Sequence, residues 1–485
     1  MNKTMLQGFN WFTSGDGQFY NRVSDYAWTL KDLGFTGIWL PPAFKGAAGG
    51  YDVGYGTYDL YDLGEFDQKG TVRTKNGTKE EYLKCIWVLK EAGIKVYADV
   101  VLNHKGGADY KELFKAVRVN PDNRLEEIEA PKDIEGFTGF NFPNRKGKYS
   151  EFVWNFNHFS GTDYDDITKE SGIYKILGDN KSWSQGVSQE KGNYDYLMFA
   201  DINHDHPDVK EELYRWADWY IQETRVDGFR LDAVKHINDY FVRDFVKYLQ
   251  QKYEGFYVFA EYWSANTGSK DNYLYQTDYE FDLFDVKLHY NFYEASLQGE
   301  HFDLRTIFDN SLMINHPFHA VTFVDNHDSQ PDQALSSWVE DWFKPLAYAM
   351  ILMHKNGFPC VFAGDYFGIE GEHPQPGKKD TIDKLLYCRK NFAYGDQDDY
   401  FINSNCIGWV RQGDNEYPHP SATLFSNKED SMISMYLGEH QANKTYSDYT
   451  GHHLAKVIIN EAGYGDFLVH GQSVSIWIED GINIK

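Results

Sequence analysis

The sequence predicts a (β/α)8 barrel carrying a small β-rich domain inserted after its third strand and an antiparallel β-sandwich at its C-terminal end. Three observations lead there. Short apolar runs alternate with helically spaced segments through roughly the first 395 positions, the pattern of a parallel sheet built from strand–helix units. One polar, aromatic stretch, from His104 to about Pro207, is too long for a loop. Beyond Phe392 the helical period gives way to short strands of alternating polarity.

Taken in order, Met5–Phe12 reads as the first strand, and Tyr26–Leu33 as a helix leading into the strand Thr36–Leu40, which Pro41 and Pro42 stop. Glu80–Ala92 has helical spacing and feeds the buried strand Ile94–Leu102. Gly228–Asp232, Tyr257–Glu261, Leu283–Val286, Ala320–Val324 and Cys360–Ala363 complete a set of eight strands. Val209–Thr224, Trp338–Lys355 and Leu385–Phe392 are among the intervening helices. The expected divisions are 1–103 with 208–395 for the barrel, 104–207 for the insert and 396–485 for the terminal β-domain. Its strands are Ile407–Arg411, Ala422–Ser426, Ile433–Tyr436, Val457–Ile459 and Val474–Ile478.

A chain of 485 residues exceeds the usual size of a single core, in keeping with that division. The net charge of −26 opposes nucleic acid and anionic membranes as partners, fits a neutral substrate and also serves solubility. No apolar stretch approaches the length of a membrane span. Four scattered cysteines (Cys85, Cys360, Cys388, Cys406) lack metal-like spacing and are compatible with a reducing compartment. The first residues lack the apolar core of a secretory signal, so with Met1 as the native start a cytoplasmic protein is expected, a secreted one staying open if Met1 is not native; a monomer is expected.

Chemistry enters with Asp232, Glu261 and Asp328, each just after an apolar strand run. A carboxylate ending a buried strand is poorly placed for structure alone. In a parallel barrel the C-terminal strand ends form one face, where active sites lie. Three acids converging there point to glycoside hydrolysis, which needs an acid and a nucleophile or base across the scissile bond. A single such acid would read as a cap or a loop ion pair; three together do not.

Four motifs then occur in order at strand ends: Asp99-Val100-Val101-Leu102-Asn103-His104, Gly228-Phe229-Arg230-Leu231-Asp232-Ala233-Val234-Lys235-His236, Glu261-Tyr262-Trp263 and Phe323-Val324-Asp325-Asn326-His327-Asp328. By these the chain resembles the α-amylases of the α-amylase clan of glycoside hydrolases, nearly end to end. Gly50-Tyr51-Asp52-Val53-Gly54-Tyr55 and Asp59-Leu60-Tyr61-Asp62-Leu63-Gly64-Glu65-Phe66 are similar to the bacterial branch of liquefying and cytoplasmic enzymes. Lys45-Gly46-Ala47 and Phe66-Asp67-Gln68-Lys69-Gly70 resemble the cytoplasmic group.

The resemblance implies endo-acting, retaining hydrolysis of α-1,4 bonds in starch, glycogen and maltodextrins. It makes Asp232 the nucleophile, Glu261 the acid and base, and Asp328 the residue that strains the sugar ring. Like-charge repulsion from Asp232 and Asp328 is expected to raise the pKa of Glu261. Arg230, two residues before Asp232 and so on the same strand face, should keep that acid ionised. His104 and His327 would donate to sugar hydroxyls, Tyr55 would stack beneath the ring, and Lys235, His236 and Trp263 would lie on the product side. The family's calcium would be held by Asn103, Asp163, Asp195, Asp201 and the carbonyl of His236. Ser184 and Asn203 stand where secreted relatives carry further metal-binding aspartates, and Ser404 and Asn405 near another such site, so one calcium and lower heat stability are expected. Exo-glucosidases and transglycosylases share the fold. Tyr196-Leu197-Met198-Phe199-Ala200-Asp201 differs from the Gln-Pro-Asp-Leu-Asn of oligo-1,6-glucosidases, which favours the amylase. A catalytically dead carbohydrate-binding protein would have lost one of the acids.

Overall fold

The computed structural model describes residues 2–179 and 181–482. Its centre is a closed barrel of eight parallel strands: β1 (Met5–Gln7), β2 (Gly37–Leu40), β3 (Lys95–Val100), β4 (Gly228–Leu231), β5 (Tyr257–Ala260), β6 (Asp282–Phe284), β7 (Ala320–Phe323) and β8 (Phe358–Phe362). They pair in sequence order, and β8 closes on β1 through Met5–Cys360 and Gln7–Phe362. Several strands are shorter than their apolar runs: β1 ends at Gln7 and β3 at Val100. The remaining apolar residues continue into the loops at the rim, where Phe9, Val101 and Leu102 stay buried without ladder pairing.

Eight principal helices surround the strands: α1 (Phe19–Leu33), α2 (Lys79–Glu91), α3 (Pro207–Thr224), α4 (Asp239–Lys252), α5 (Thr267–Gln276), α6 (Val286–Gln298), α7 (Lys344–Met353) and α8 (Lys379–Phe392). Each turns an apolar face inward; α1 buries Phe19, Tyr20, Val23, Ala27 and Leu30, the i, i+3, i+4 pattern of an amphipathic helix. Helix α1 starts seven residues before the sequence pattern becomes clear at Tyr26. Helix α2 begins with a capping box in which Thr78 and Glu81 satisfy each other's backbone N–H groups. Gly228 permits the tight β4–β5 contact, since a Cβ there would stand 2.0 Å from the Tyr257 carbonyl oxygen.

Between β3 and α3 the chain builds a separate sheet from Tyr110–Asn120, Asn123–Glu127, Lys132–Gly139, Phe159–Asp165 and Glu170–Ile176. Two short strands tie it to the barrel rim: His104–Lys105 pairs with Ala200–Ile202, setting Asp201 opposite His104. After α8 a six-stranded antiparallel sheet faces the two-stranded antiparallel sheet Ser431–Tyr436/Tyr464–Val469 around a second core that includes Val410, Leu424, Met435, Phe467 and Trp477. Gln397–Asn403, Thr445–Asp448 and Tyr464–Val469 are strands here that the sequence pattern did not reveal, because their apolar alternation is diluted by charged and tyrosine residues. All four cysteines are free and buried. No helix among the described residues is long and apolar enough to cross a membrane.

Candidate active site

The parallel ladder extends one residue past β4 and β5 to hold two of the acids by their backbones. The N–H of Asp232 donates to Val100 O (3.0 Å) and that of Glu261 to Leu231 O (2.9 Å). Immediately after Asp232, Ala233 adopts a left-handed conformation (φ 51°), an unusual geometry for a residue with a side chain. It turns the chain so that Val234 N–H bonds the Glu261 carbonyl (3.0 Å), locking the two motifs together. Asp328 is set by an Asx turn in which Asn326 Oδ1 accepts from the N–H groups of Asp328 and Ser329, both at 2.9 Å.

Arg230, fully buried, is the hub of the site. Its Nη1 donates to Asp232 Oδ1 (2.7 Å) and Asp99 Oδ1 (2.9 Å), while Nη2 donates to Glu261 Oε2. The guanidinium therefore touches both acids, not Asp232 alone as expected from strand spacing. Asp99 anchors it from below and also accepts from Trp39 Nε1 (3.0 Å) and Tyr55 OH (2.7 Å). Asp99, Trp39 and Trp11 were missed as site residues. Asp99 had a signal, since it ends two residues before the loop at Val101 within a recognised motif.

Burial pushes all three acids up: Asp232 to about 6, Glu261 to about 7 and Asp328 to about 8. For Glu261, burial is the largest cause, Arg230 opposes it and the charge of Asp232 adds to it. Like-charge repulsion is thus a lesser contribution than the sequence reading expected. Asp232 sits lowest of the three, so it ionises first, and a protonated neighbour is available at near-neutral pH.

One wall is aromatic. The rings of Tyr55 and His327 stack at 5.0 Å and 10°, and Trp11 lies parallel to Tyr55 at 5.9 Å and 3°. Gln7 Nε2 meets His327 Nδ1 at 3.0 Å, and His327 Nε2 lies 3.3 Å from Asp328. His104 Nε2 meets the Tyr55 carbonyl at 2.8 Å, and Asn103 Nδ2 lies 3.3 Å from His104 Nδ1. Burial holds His104 down at about 4 and His327 well below its usual value, so both rings are neutral. Lys235 donates to Trp263 O and Glu190, each at 3.0 Å. The rings of His236 and Trp263 are buried: His236 Nδ1 meets Tyr194 O at 2.7 Å, and Trp263 Nε1 donates to Tyr290 OH at 3.1 Å.

Two groups bring together ligand types that suit a metal, and only the first has free ligand atoms. Asp195 and Asp201 are buried near each other, with burial pushing Asp195 up to about 7 and Asp201 well above the usual carboxylate range, the charge of Asp195 adding to the effect on Asp201. Asp201 Oδ2 and Asn103 Oδ1 are buried with no hydrogen-bond partner. Uncompensated buried oxygens of this kind suit a hard divalent cation. Asp163 lies two residues past Gly161, which pairs with Asp201, and its Oδ2 accepts from Phe199 N–H at 3.1 Å. At the position marked by Ser184, the N–H donates to Asp195 Oδ2 (2.8 Å), and Asn203 Oδ1 caps Asp205 N–H (3.0 Å). The second group is His158, His206 and Asp208, whose ligand-capable atoms lie within 4.8 Å of one another. Here both Nδ1 atoms accept backbone N–H bonds, from Asn155 (3.1 Å) and Asp208 (3.2 Å). That places the ring proton of each neutral imidazole on Nε2 and leaves no free lone pair for a metal.

Comparison with known proteins agrees with this architecture. The family model described as alpha amylase, catalytic domain, matches residues 23–449. A glucan 1,4-alpha-maltohexaosidase of Bacillus sp. (strain 707) is 48% identical over 480 residues, covering 98% of this chain and 92% of the relative. An alpha-amylase of Geobacillus stearothermophilus is 49% identical, covering 98% and 87%. A cytoplasmic alpha-amylase of Escherichia coli (strain K12) is 42% identical, covering 98% and 99%. The crystal structure of the alpha-amylase from Geobacillus thermoleovorans complexed with acarbose shares the fold, with a TM-score of 0.66, 20% identity and 99% and 98% of the two chains aligned.

Proposed function

Because the chain belongs to the alpha-amylase family of glycoside hydrolases, we propose that it cuts internal α-1,4-glucosidic bonds of starch, glycogen and maltodextrins with retention of configuration. The observation that carries this is the bridging of Asp232 and Glu261 by the two terminal nitrogens of Arg230. One guanidinium can span only neighbouring carboxylates. That suits the spacing of about 5–5.5 Å used by retaining enzymes better than the roughly 6.5–9.5 Å that leaves room for water in inverting ones.

In this mechanism the Asp232 carboxylate attacks the anomeric carbon as Glu261 passes its proton to the departing glycosidic oxygen. A covalent glycosyl-enzyme results. Glu261, now ionised, takes a proton from the incoming water, which displaces Asp232 and restores both groups. Arg230 orients Asp232 and offsets charge on whichever acid is ionised. Asp328 and the neutral His327 and His104 bind hydroxyls of the distorted sugar, and the Tyr55 ring supports its apolar face. Lys235 lies towards the product side, its side chain largely covered and in contact with the more exposed Glu190.

One calcium would be held by Asn103, Asp163, Asp195 and Asp201 with the His236 carbonyl. It would neutralise the buried acids and pin the inserted sheet to the barrel. The paired strands supply the link, since Asp201 lies opposite His104 in the ladder. A cytoplasmic location is favoured by the likeness to the E. coli enzyme, and the neutral glucan suits a chain of net charge −26.

The test is a time course on soluble starch, following iodine colour and released sugars. Rapid colour loss with mixed maltooligosaccharides is expected. The 48% identity to a maltohexaosidase favours a second reading, in which one fixed-length product accumulates from the start while colour fades slowly. Asp232→Asn should abolish cleavage; a variant that still cleaves starch would overturn the mechanism.

A further inference from the structure

The turn that sets Asp328 is itself held by a residue outside the four motifs. Asn326 Oδ1 accepts the N–H groups of Asp328 and Ser329, and the N–H of Asn326 donates to Ser329 Oγ (2.9 Å). Ser329 Oγ in turn donates to Asp325 Oδ1 (2.8 Å). The other oxygen of Asp325, Oδ2, accepts from Lys344 Nζ and from the N–H of Val339 (3.2 Å). A chain of hydrogen bonds therefore runs from Lys344 to the backbone of Asp328. Lys344, Asp325, Ser329 and Asn326 are all buried.

Lys344 opens α7, and its ammonium is fixed from three sides. Besides Asp325 it donates to Asp365 Oδ1 (2.6 Å), in the short helix Ala363–Phe367 that follows β8. Tyr348 OH donates to the second oxygen of Asp365 (2.6 Å). The Trp338 ring closes the third side, its centroid 3.2 Å from Nζ. One lysine thus ties the end of β7 to the start of α7 and the end of β8. Burial raises the pKa of Asp325, and the charge of Lys344 opposes that rise. Buried ion clusters of this kind add little net stability, because desolvation cancels most of their attraction. Apolar residues of similar volume would serve a core as well. What the cluster does fix is direction, and its hydrogen bonds lead to the one acid of the three that stands on a loop rather than on the strand ladder.

We propose that Lys344 is a positioning residue for the reaction, setting Asp328 against the sugar through Asp325, Ser329 and Asn326. The proposal rests on the role given to Asp328 above. A displacement of about 1 Å at a reacting centre can cost about 10²-fold in rate. A contact made only in the transition state is lost from kcat with KM unchanged. The experiment is a double-mutant cycle on kcat and KM for maltoheptaose. Lys344→Met should lower kcat about tenfold or more and leave KM within about twofold. In an Asp328→Asn background the same substitution should change kcat less than about twofold, because the carboxylate it positions is already gone. Lys344→Met/Asp365→Asn, which removes one of the two carboxylates left without a cation, should repeat that dependence. So should Ser329→Ala, which cuts the chain at the hydroxyl and leaves the ion pair in place. An equal fold-loss in both backgrounds would overturn the proposal and mark Lys344 as structural. An unchanged kcat in Lys344→Met, or a loss confined to KM, would overturn it too. If neither lysine variant folds, Ser329→Ala decides, since an equal loss in both backgrounds, or none, breaks the chain on which the proposal stands. Asp328→Asn turning over at the native rate would instead overturn the role of Asp328, and the positioning of it with that role.

Discussion

Asp99→Asn isolates the anchor beneath Arg230 while preserving shape. Asp99 accepts three hydrogen bonds, from Arg230 on Oδ1 and from Trp39 and Tyr55 on Oδ2, in a wholly buried setting. An asparagine has one accepting oxygen. If it faces Arg230, the amide N–H2 opposes the Trp39 N–H, which cannot reverse its role; if it faces Trp39 and Tyr55, the amide opposes the guanidinium. Either way one buried donor loses its partner, at a cost of about 1–3 kcal/mol. Removing the Asp99 charge also acts on Asp232, because that charge helps hold the Asp232 pKa up. Without it, and with Arg230 less shared, Asp232 ionises at lower pH. The acidic limb of kcat/KM should therefore move to lower pH, while the melting temperature falls. Both are read from one preparation, by a pH profile on a soluble maltooligosaccharide and a thermal melt. An acidic limb that stays in place or moves up would refute the electrostatic reasoning, and an unchanged melt would refute the hydrogen-bond reasoning.

Glu261→Gln should lower kcat on starch by about 10²–10⁴, and an activated aryl maltoside, whose leaving group needs little protonation, should recover much of that loss in the first step. The native enzyme should show a bell-shaped kcat/KM profile with its acidic limb near 6 and basic limb near 7, the macroscopic values of the Asp232–Glu261 pair; activity that stays flat from pH 4 to 9 would count against the pairing. Chelation should lower the melting temperature and calcium restore it, because Asp195 and Asp201 would otherwise be buried without a counter-charge; a melt insensitive to chelator would remove the proposed calcium. In Asp201→Asn the chelator effect should shrink, since one metal-binding oxygen charge is gone.

The eight strands were legible because a parallel barrel buries both strand faces, so apolar runs stand out from helical spacing. Asp232 and Glu261 were legible because each follows such a run directly, and Asp328 because it stands four residues past Val324 at the end of another. The three terminal-domain strands escaped because polar residues break their two-residue period: in Gln397–Asn403, Asp398 and Asp399 are adjacent and so face opposite sides, followed by Tyr400 and Phe401, also adjacent. Within the site, sequence spacing placed Arg230 on the Asp232 side of β4 but could not reveal that its second nitrogen reaches across to Glu261 from the neighbouring strand. Asp99 shows the deeper limit. Its neighbours in sequence are Ala98 and Val100, whereas its partners Trp39, Tyr55 and Arg230 come from three other segments and meet only when the barrel closes. A motif shows which residues stand at the rim. Their protonation states depend on burial and on charges brought in by neighbouring strands, and for Glu261 burial outweighs the charge of the nearby acid. The division of labour between Asp232 and Glu261 is therefore a property of the closed barrel, and a substitution at Asp99, outside the two acids themselves, is expected to shift it.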